Sequence, residues 1–180
     1  QLSRGPRGYF LLVEGGRIDH ALHDANAHRA IAEMLELDDT VARTLDAISD
    51  DTLVLVTADH DHVMVIAGYP DIRDGIFSRA GVDRNGVPYT TLLFANGPPD
   101  SAPPNPLTPE ELARADFRER TGVPLNDETH GGMDVPLYAW GPESCLKAIP
   151  ATLDNTDIFR VMCAALGIPL SASPPAPARR

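Results

Sequence analysis

The chain has 180 residues, a length that fits one domain of ordinary size, and 43% of them are apolar, enough for a core and against wholesale disorder. Its net charge of −11 offers no basic patch to displace counterions from nucleic-acid phosphates, so nucleic acid is not an expected partner. No apolar run approaches the roughly 18 residues of a membrane helix, which excludes a helical membrane span.

The first residues, Gln1 to Pro6, carry no signal-peptide pattern and lead at once into Tyr9–Val13, a continuous apolar run read as a buried strand. That abrupt start predicts a chain beginning inside a larger protein. Gly15 and Gly16 end the run, and a helix is expected from about Ile18 to Leu35, rich in good helix formers such as Ala21, Leu22, Ala25 and Ala32. Asp38 and Asp39 read as the start of a second helix, with Val41, Leu45 and Ile48 at helical spacing. Thr52–Thr57 is a second buried strand, so the order is strand–helix–strand, the signature of a parallel sheet with helices on its faces. From Gly68 to about Asp127 prolines and glycines break any long element, and Tyr89–Phe94 is one strand expected there. Val135–Trp140 reads as an edge strand because of Pro136, and a final helix from about Asp154 to Leu166 stops at Gly167 and Pro169. The resulting division is 1–67 and 128–170 as an α/β core, 68–127 as an inserted segment, and 171–180 as a frayed Pro/Ala/Ser tail. Cys145 and Cys163 could pair in an oxidising compartment or remain as two buried thiols.

Three groups of potential metal ligands each follow or precede a predicted strand, where open α/β sheets bind their ligands. In the first, Asp19 and His23 lie four apart and would share one helix face, while Glu14 at the strand end could serve a second ion. The pair alone also suits an acidic first turn with exposed histidines. The second group, Asp59-His60-Asp61-His62, sets four ionisable groups side by side after an apolar strand. Burying such groups is expensive without a counter-charge, and Asp and His are zinc-type ligands. An exposed polar loop is the plainer alternative. The third is Glu128-Thr129-His130-Gly131-Gly132, whose single histidine would mean little by itself. Together the three predict a multinuclear metal site, which would also reverse the local sign of an acidic surface.

The order and spacing of these groups closely resemble the alkaline phosphatase family. Glu14-Gly15-Gly16-Arg17-Ile18-Asp19 with His23 resembles its Glu-Gly-x-x-Ile-Asp-x-x-x-His segment, and Thr57-Ala58-Asp59-His60-Asp61-His62 its Thr-Ala-Asp-His-x-His segment. Thr129-His130-Gly131-Gly132 through Asp134-Val135-Pro136, continued by Trp140-Gly141-Pro142, resembles the third family motif. The stretch from Ile76 to Pro98 is similar to the animal-type members, so the likeness covers most of residues 8–166. The resemblance implies a three-layer α/β sandwich with a mostly parallel central sheet, of which this chain would be the C-terminal part, and a crown-like insertion over 68–127. It implies two zinc ions and one magnesium. Asp19, His23 and His130 would hold the first zinc, Asp59 and His60 the second, and Glu14 the magnesium. His62 would orient a ligating carboxylate, and His20 would lie near the phosphate pocket. His28 matches no motif and reads as a surface histidine.

The chemistry implied is hydrolysis of phosphate monoesters by two-metal phosphoryl transfer through a phosphoserine. In the family the serine stands in an Asp-Ser-Ala-like segment upstream, with further metal ligands and a phosphate-binding arginine. No Asp-Ser-Ala occurs here, Ser3 and Ser49 have no such context, and Arg17 belongs to the glycine-rich motif. The expectation is therefore a portion that needs a missing N-terminal part for activity, in a homodimeric, secreted or periplasmic enzyme. The alternatives are a zinc-binding module without turnover and a related phosphodiesterase or sulfatase.

Overall fold

The computed structural model describes residue 5 and residues 8–99 and 107–170. In chain order its elements are α1 (Arg17–His23), α2 (Ala27–Ala47), β1 (Val54–Val56), β2 (Asp61–His62), β3 (Met64–Ile66), β4 (Arg79–Val82), β5 (Pro88–Thr90), β6 (Leu92–Gly97), α3 (Pro109–Leu112), β7 (Thr121–Pro124), β8 (His130–Gly131), β9 (Tyr138–Trp140), α4 (Glu143–Leu146) and α5 (Asp157–Ala165). They fall into two compact units. One is built from Val13–Thr44 and His60–Asp134; the other combines Leu45–Asp59 with the chain before Val13 and after Asp134.

The first unit is organised by β6, flanked by β3 antiparallel on one side and β7 parallel on the other. Successive strand residues face opposite ways, so Leu92 and Phe94 share a face, and each is only 2% exposed. That face packs with Ala21 and Leu22 of α1, Ala25, and Ala27 and Ala30 of α2, with Ile18, Ile31, Met64 and Phe77 around them. The small alanines let both helices approach closely. A second ribbon, β4–β5, is antiparallel with a register shift between Arg79 and Gly81, and β2 pairs with β8.

The helix boundary differs from the sequence expectation. α1 stops at His23, and α2 then runs unbroken through Asp38 and Asp39. Ala25 adopts a left-handed φ of 52°, Ala25 N–H donates to Leu22 O and Asn26 N–H to Ala21 O. This is the double-bonded helix stop usually built on glycine. Asn26 then starts the next helix, its Oδ1 accepting from Arg29 N–H at 2.9 Å. The buried Glu119 carboxylate takes up Ala27 N–H at 2.8 Å, and Glu119 N–H donates to Ala25 O. Burial pushes the Glu119 carboxyl up to about 7, with the bond from Ala27 N–H pulling the other way.

In the second unit β1 and β9 form an antiparallel ribbon, Val54 opposite Trp140 and Val56 opposite Tyr138. Pro136 precedes β9, which is three residues long where a strand from 135 was expected. α5 ends as the sequence predicts. Gly167 takes a left-handed φ of 65°, its N–H donates to Ala164 O, and Ile168 N–H donates to Cys163 O. Both cysteines are free thiols, Cys163 buried and Cys145 half-buried.

The protein is thus mixed α/β with small sheets, and the parallel strand–helix–strand unit expected from 9–57 does not form. Tyr9–Val13 is not a strand, and Phe10, Leu11, Leu12 and Val13 are 58–78% exposed. Among the described residues β6–β7 is the one parallel pairing. The reason is physical. An apolar run states that a segment favours burial, but a strand exists only where another strand accepts its hydrogen bonds. The tail over 171–180 lies outside the described residues. No helix among the described residues is long and apolar enough to cross a membrane.

Candidate metal centre

Four side chains of the first unit converge. α1 sets Asp19 and His23 one turn apart on one face, with His23 Nε2 3.3 Å from Asp19 Oδ1. The cross-strand partners His62 of β2 and His130 of β8 bring two more imidazoles. His62 Nε2 lies 3.1 Å and His130 Nε2 3.6 Å from the same Asp19 oxygen, and His130 Nε2 is 3.3 Å from His23 Nε2. One donor atom from each of the four lies within 4.8 Å of all the others. His60 stands at the rim, its ring stacked on His130 at 3.5 Å between centroids and its Nε2 3.9 Å from Asp19 Oδ1. His62 is nearly buried while His130 is about half exposed, so the group opens to solvent on the His130 side.

The segment carrying His130 is fastened at the two residues before it, Glu128 and Thr129. Glu128 N–H donates to His23 O at 2.9 Å, and His23 Nδ1–H donates back to Glu128 O at 2.5 Å. Thr129 is clamped by Asn96 of β6: Thr129 N–H donates to Asn96 Oδ1 at 3.0 Å, and Asn96 Nδ2 donates to Thr129 Oγ1 at 2.8 Å. Gly97, at φ 142°, lies so close to Glu128 and Thr121 that a β-carbon there would crowd both. The Glu128 side chain is fully buried. Its Oε2 accepts from His62 Nδ1–H at 2.6 Å and its Oε1 from Val63 N–H at 2.7 Å.

The other sequence candidates fall elsewhere. Glu14 is exposed and folds over Gly16. His20 is on another flank of α1, lining a shallow depression of about 340 Å³ with Arg17, Asp24, Arg29 and Glu33. Asp59 is exposed and belongs to the second unit. Asp61 alternates with its neighbours along β2 and faces away from His62; one of its carboxylate oxygens is buried without a partner, and any β-carbon at Gly131 would strike it. His28 is not a simple surface histidine: its ring stacks on Phe77 at 3.7 Å and its Nε2–H donates to Leu112 O.

Sequence reasoning named Asp19, His23, His62 and His130 but gave no role to Glu128, Asn96 or Thr129. An acidic residue two positions before a candidate ligand was the available signal for Glu128. Nothing in the sequence ties Asn96 to Thr129, 33 residues away, because a side-chain clamp leaves no periodic trace.

Three imidazoles and a carboxylate with convergent donor atoms on a mixed α/β scaffold form a group that could hold a metal ion. The alkaline phosphatase family model matches residues 1–168. The chain is 46% identical over 147 residues to membrane-bound alkaline phosphatase of Bombyx mori, covering 78% of this chain and 27% of that protein. It is 42% identical over 147 residues to the tissue-nonspecific alkaline phosphatase isozyme of Gallus gallus and 40% identical over 147 residues to that of Felis catus, in each case 78% of this chain and 28% of the relative. The chain belongs to the alkaline phosphatase family, and it spans little more than a quarter of the length of these relatives.

Proposed function

We propose that this chain is the metal-holding C-terminal portion of an alkaline phosphatase that hydrolyses phosphate monoesters, its serine nucleophile and remaining ligands coming from sequence outside these 180 residues. One observation carries the reading. Ligands about 2.0–2.1 Å from a tetrahedral zinc stand about 3.3 Å from one another. Asp19 Oδ1, His23 Nε2 and His130 Nε2 form a triangle with edges of 3.3, 3.6 and 3.3 Å. That donor set fits the first zinc.

In this reading Asp59 and His60 contribute to a second zinc and Glu14 to a magnesium. His62 packs against the first-zinc carboxylate Asp19. Bound there, the ions supply Lewis-acid stabilisation of the attacking and leaving oxygens of an in-line displacement. The chain's own part is orientation. Asp19 and His23 are fixed by the helix, and His130 by the Asn96–Thr129 clamp. The half-exposed His130 side leaves an approach for a phosphate ester. Segment 68–127 is the crown-like insertion, and the three-layer sandwich with a mostly parallel sheet belongs to the complete protein. The exposed apolar residues of 10–13 support strands that pair only there. The complete enzyme is a secreted or periplasmic homodimer, and a monomer in light scattering would count against that part.

The test is hydrolysis of a chromogenic phosphate monoester at alkaline pH with zinc and magnesium supplied. The 180-residue chain alone should be inactive, and activity should appear when the complementary N-terminal portion is added. Robust turnover by the chain alone would overturn the division of labour. Inactivity of the combined portions, each folded and metal-loaded, would favour the zinc-binding module without turnover.

A further inference from the structure

Outside the four convergent donors, Glu128 is a fully buried polar side chain with both of its oxygens engaged. One residue thereby receives the Nδ1–H of two cluster histidines. Its main-chain carbonyl takes His23, and its carboxylate takes His62. An imidazole held through Nδ1 presents Nε2 on its opposite side, and both Nε2 atoms lie within 3.3 Å of Asp19 Oδ1. The second oxygen, on Val63 N–H, ties the carboxylate to the backbone that follows β2, so it cannot swing away from His62.

We propose that Glu128 is a positioning residue of the metal centre, its buried carboxylate fixing the ring orientation of His62 so that the imidazole faces Asp19. The proposal rests on the reading of this cluster as a zinc site. His62 is itself the neighbour of a ligating carboxylate, and loss of such an outer partner typically weakens metal binding about 10- to 100-fold; Glu128 acts one step further out, through His62. A glutamine here has one acceptor oxygen instead of two. It can satisfy Val63 N–H or His62 Nδ1–H but not both, and its amide would oppose the other donor. Glu119 is the natural control, a comparably buried carboxylate in the same unit that accepts the Ala27 backbone N–H.

The experiment compares wild type, Glu128→Gln and Glu119→Gln as the 180-residue chain. Zinc affinity is read by chelator competition, fold by circular dichroism, and the His62 ring N–H by 15N-resolved NMR. The expected result is a folded Glu128→Gln variant that binds zinc about 10-fold more weakly, the lower end of that range because His62 is not itself a ligand, and that has lost the protected His62 Nδ1–H signal, with Glu119→Gln unchanged in both. Wild-type zinc affinity in Glu128→Gln would overturn the proposal, and so would an equal loss in Glu119→Gln. Should Glu128→Gln fail to fold, the wild-type spectrum decides. A protected His62 Nδ1–H supports the proposal, and a His62 ring protonated on Nε2 alone overturns it. Failure of the wild-type chain to bind zinc at all would instead overturn the zinc reading, and the proposal with it.

Discussion

The two units differ in what their elements bury. In the unit of Val13–Thr44 and His60–Asp134, β6 has a strand on either side and two helices against one face, and Leu92 and Phe94 are nearly sealed. In the unit containing β1, β9 and α5, Cys163 is the one buried apolar residue among those described, while Tyr138 and Phe159 are more than half exposed. Both units have hydrogen-bonded strands and capped helices, so local structure does not distinguish them. A two-stranded ribbon is marginal by itself, and burial separates a unit that can position a site from one that needs covering. The convergent donors Asp19, His23, His62 and His130 all lie in the better-packed unit.

The sharpest way to break this contrast is to empty the β6 core. Phe94→Ala should destabilise its unit by about 3–5 kcal/mol, since it empties a ring-sized space at the centre of that core. Denaturant unfolding followed by hydrogen exchange at β6 measures it. A cost under about 1 kcal/mol would mean that this core is not the one that holds the unit.

The next effect is pH-dependent and belongs to the helix junction. Burial pushes the Glu119 carboxyl from an ordinary 4.5 up to about 7. Below the lower value it is protonated in folded and unfolded chains alike. As pH rises through this window the unfolded chain releases the proton first, so stability falls, and it levels off above the folded value. The loss is on the order of 3 kcal/mol across the window. Glu119→Gln should flatten this part of the stability profile. An unchanged profile would show that Glu119 ionises without cost.

The smallest effect is expected in the thinner unit. Phe159→Ala should change stability by no more than about 0.5 kcal/mol, because the ring is mostly exposed. A cost several times larger would show that this face is covered in solution. Read together with Phe94→Ala, it measures the contrast directly.

What could be read from the sequence followed the range of each signal. The spacing of Asp19 and His23 is local, and the pair does share a helix face. The stop at Gly167 is local too, and its backbone is left-handed as a glycine stop requires. The break at residues 24–26 was missed because Ala25, a good helix former, occupies the left-handed position that glycine usually marks; Asn26 before a long helix was the usable hint. The run at 9–13 was misplaced because hydrophobicity does not name a pairing partner. His130, 107 residues from His23, was joined to it by its place beside a predicted strand and by the family resemblance, while nothing in the sequence showed that Glu128 would hold both His23 and His62.

The central claim is that Asp19, His23 and His130 hold zinc, and X-ray absorption on the zinc-loaded chain tests it most directly. The account predicts nitrogen and oxygen neighbours at about 2.0–2.1 Å with imidazole scattering, and loss of the bound metal in His130→Ala without loss of fold. Sulfur neighbours at about 2.3 Å, which would put the ion on Cys145 or Cys163, or full zinc retention in His130→Ala, would contradict it.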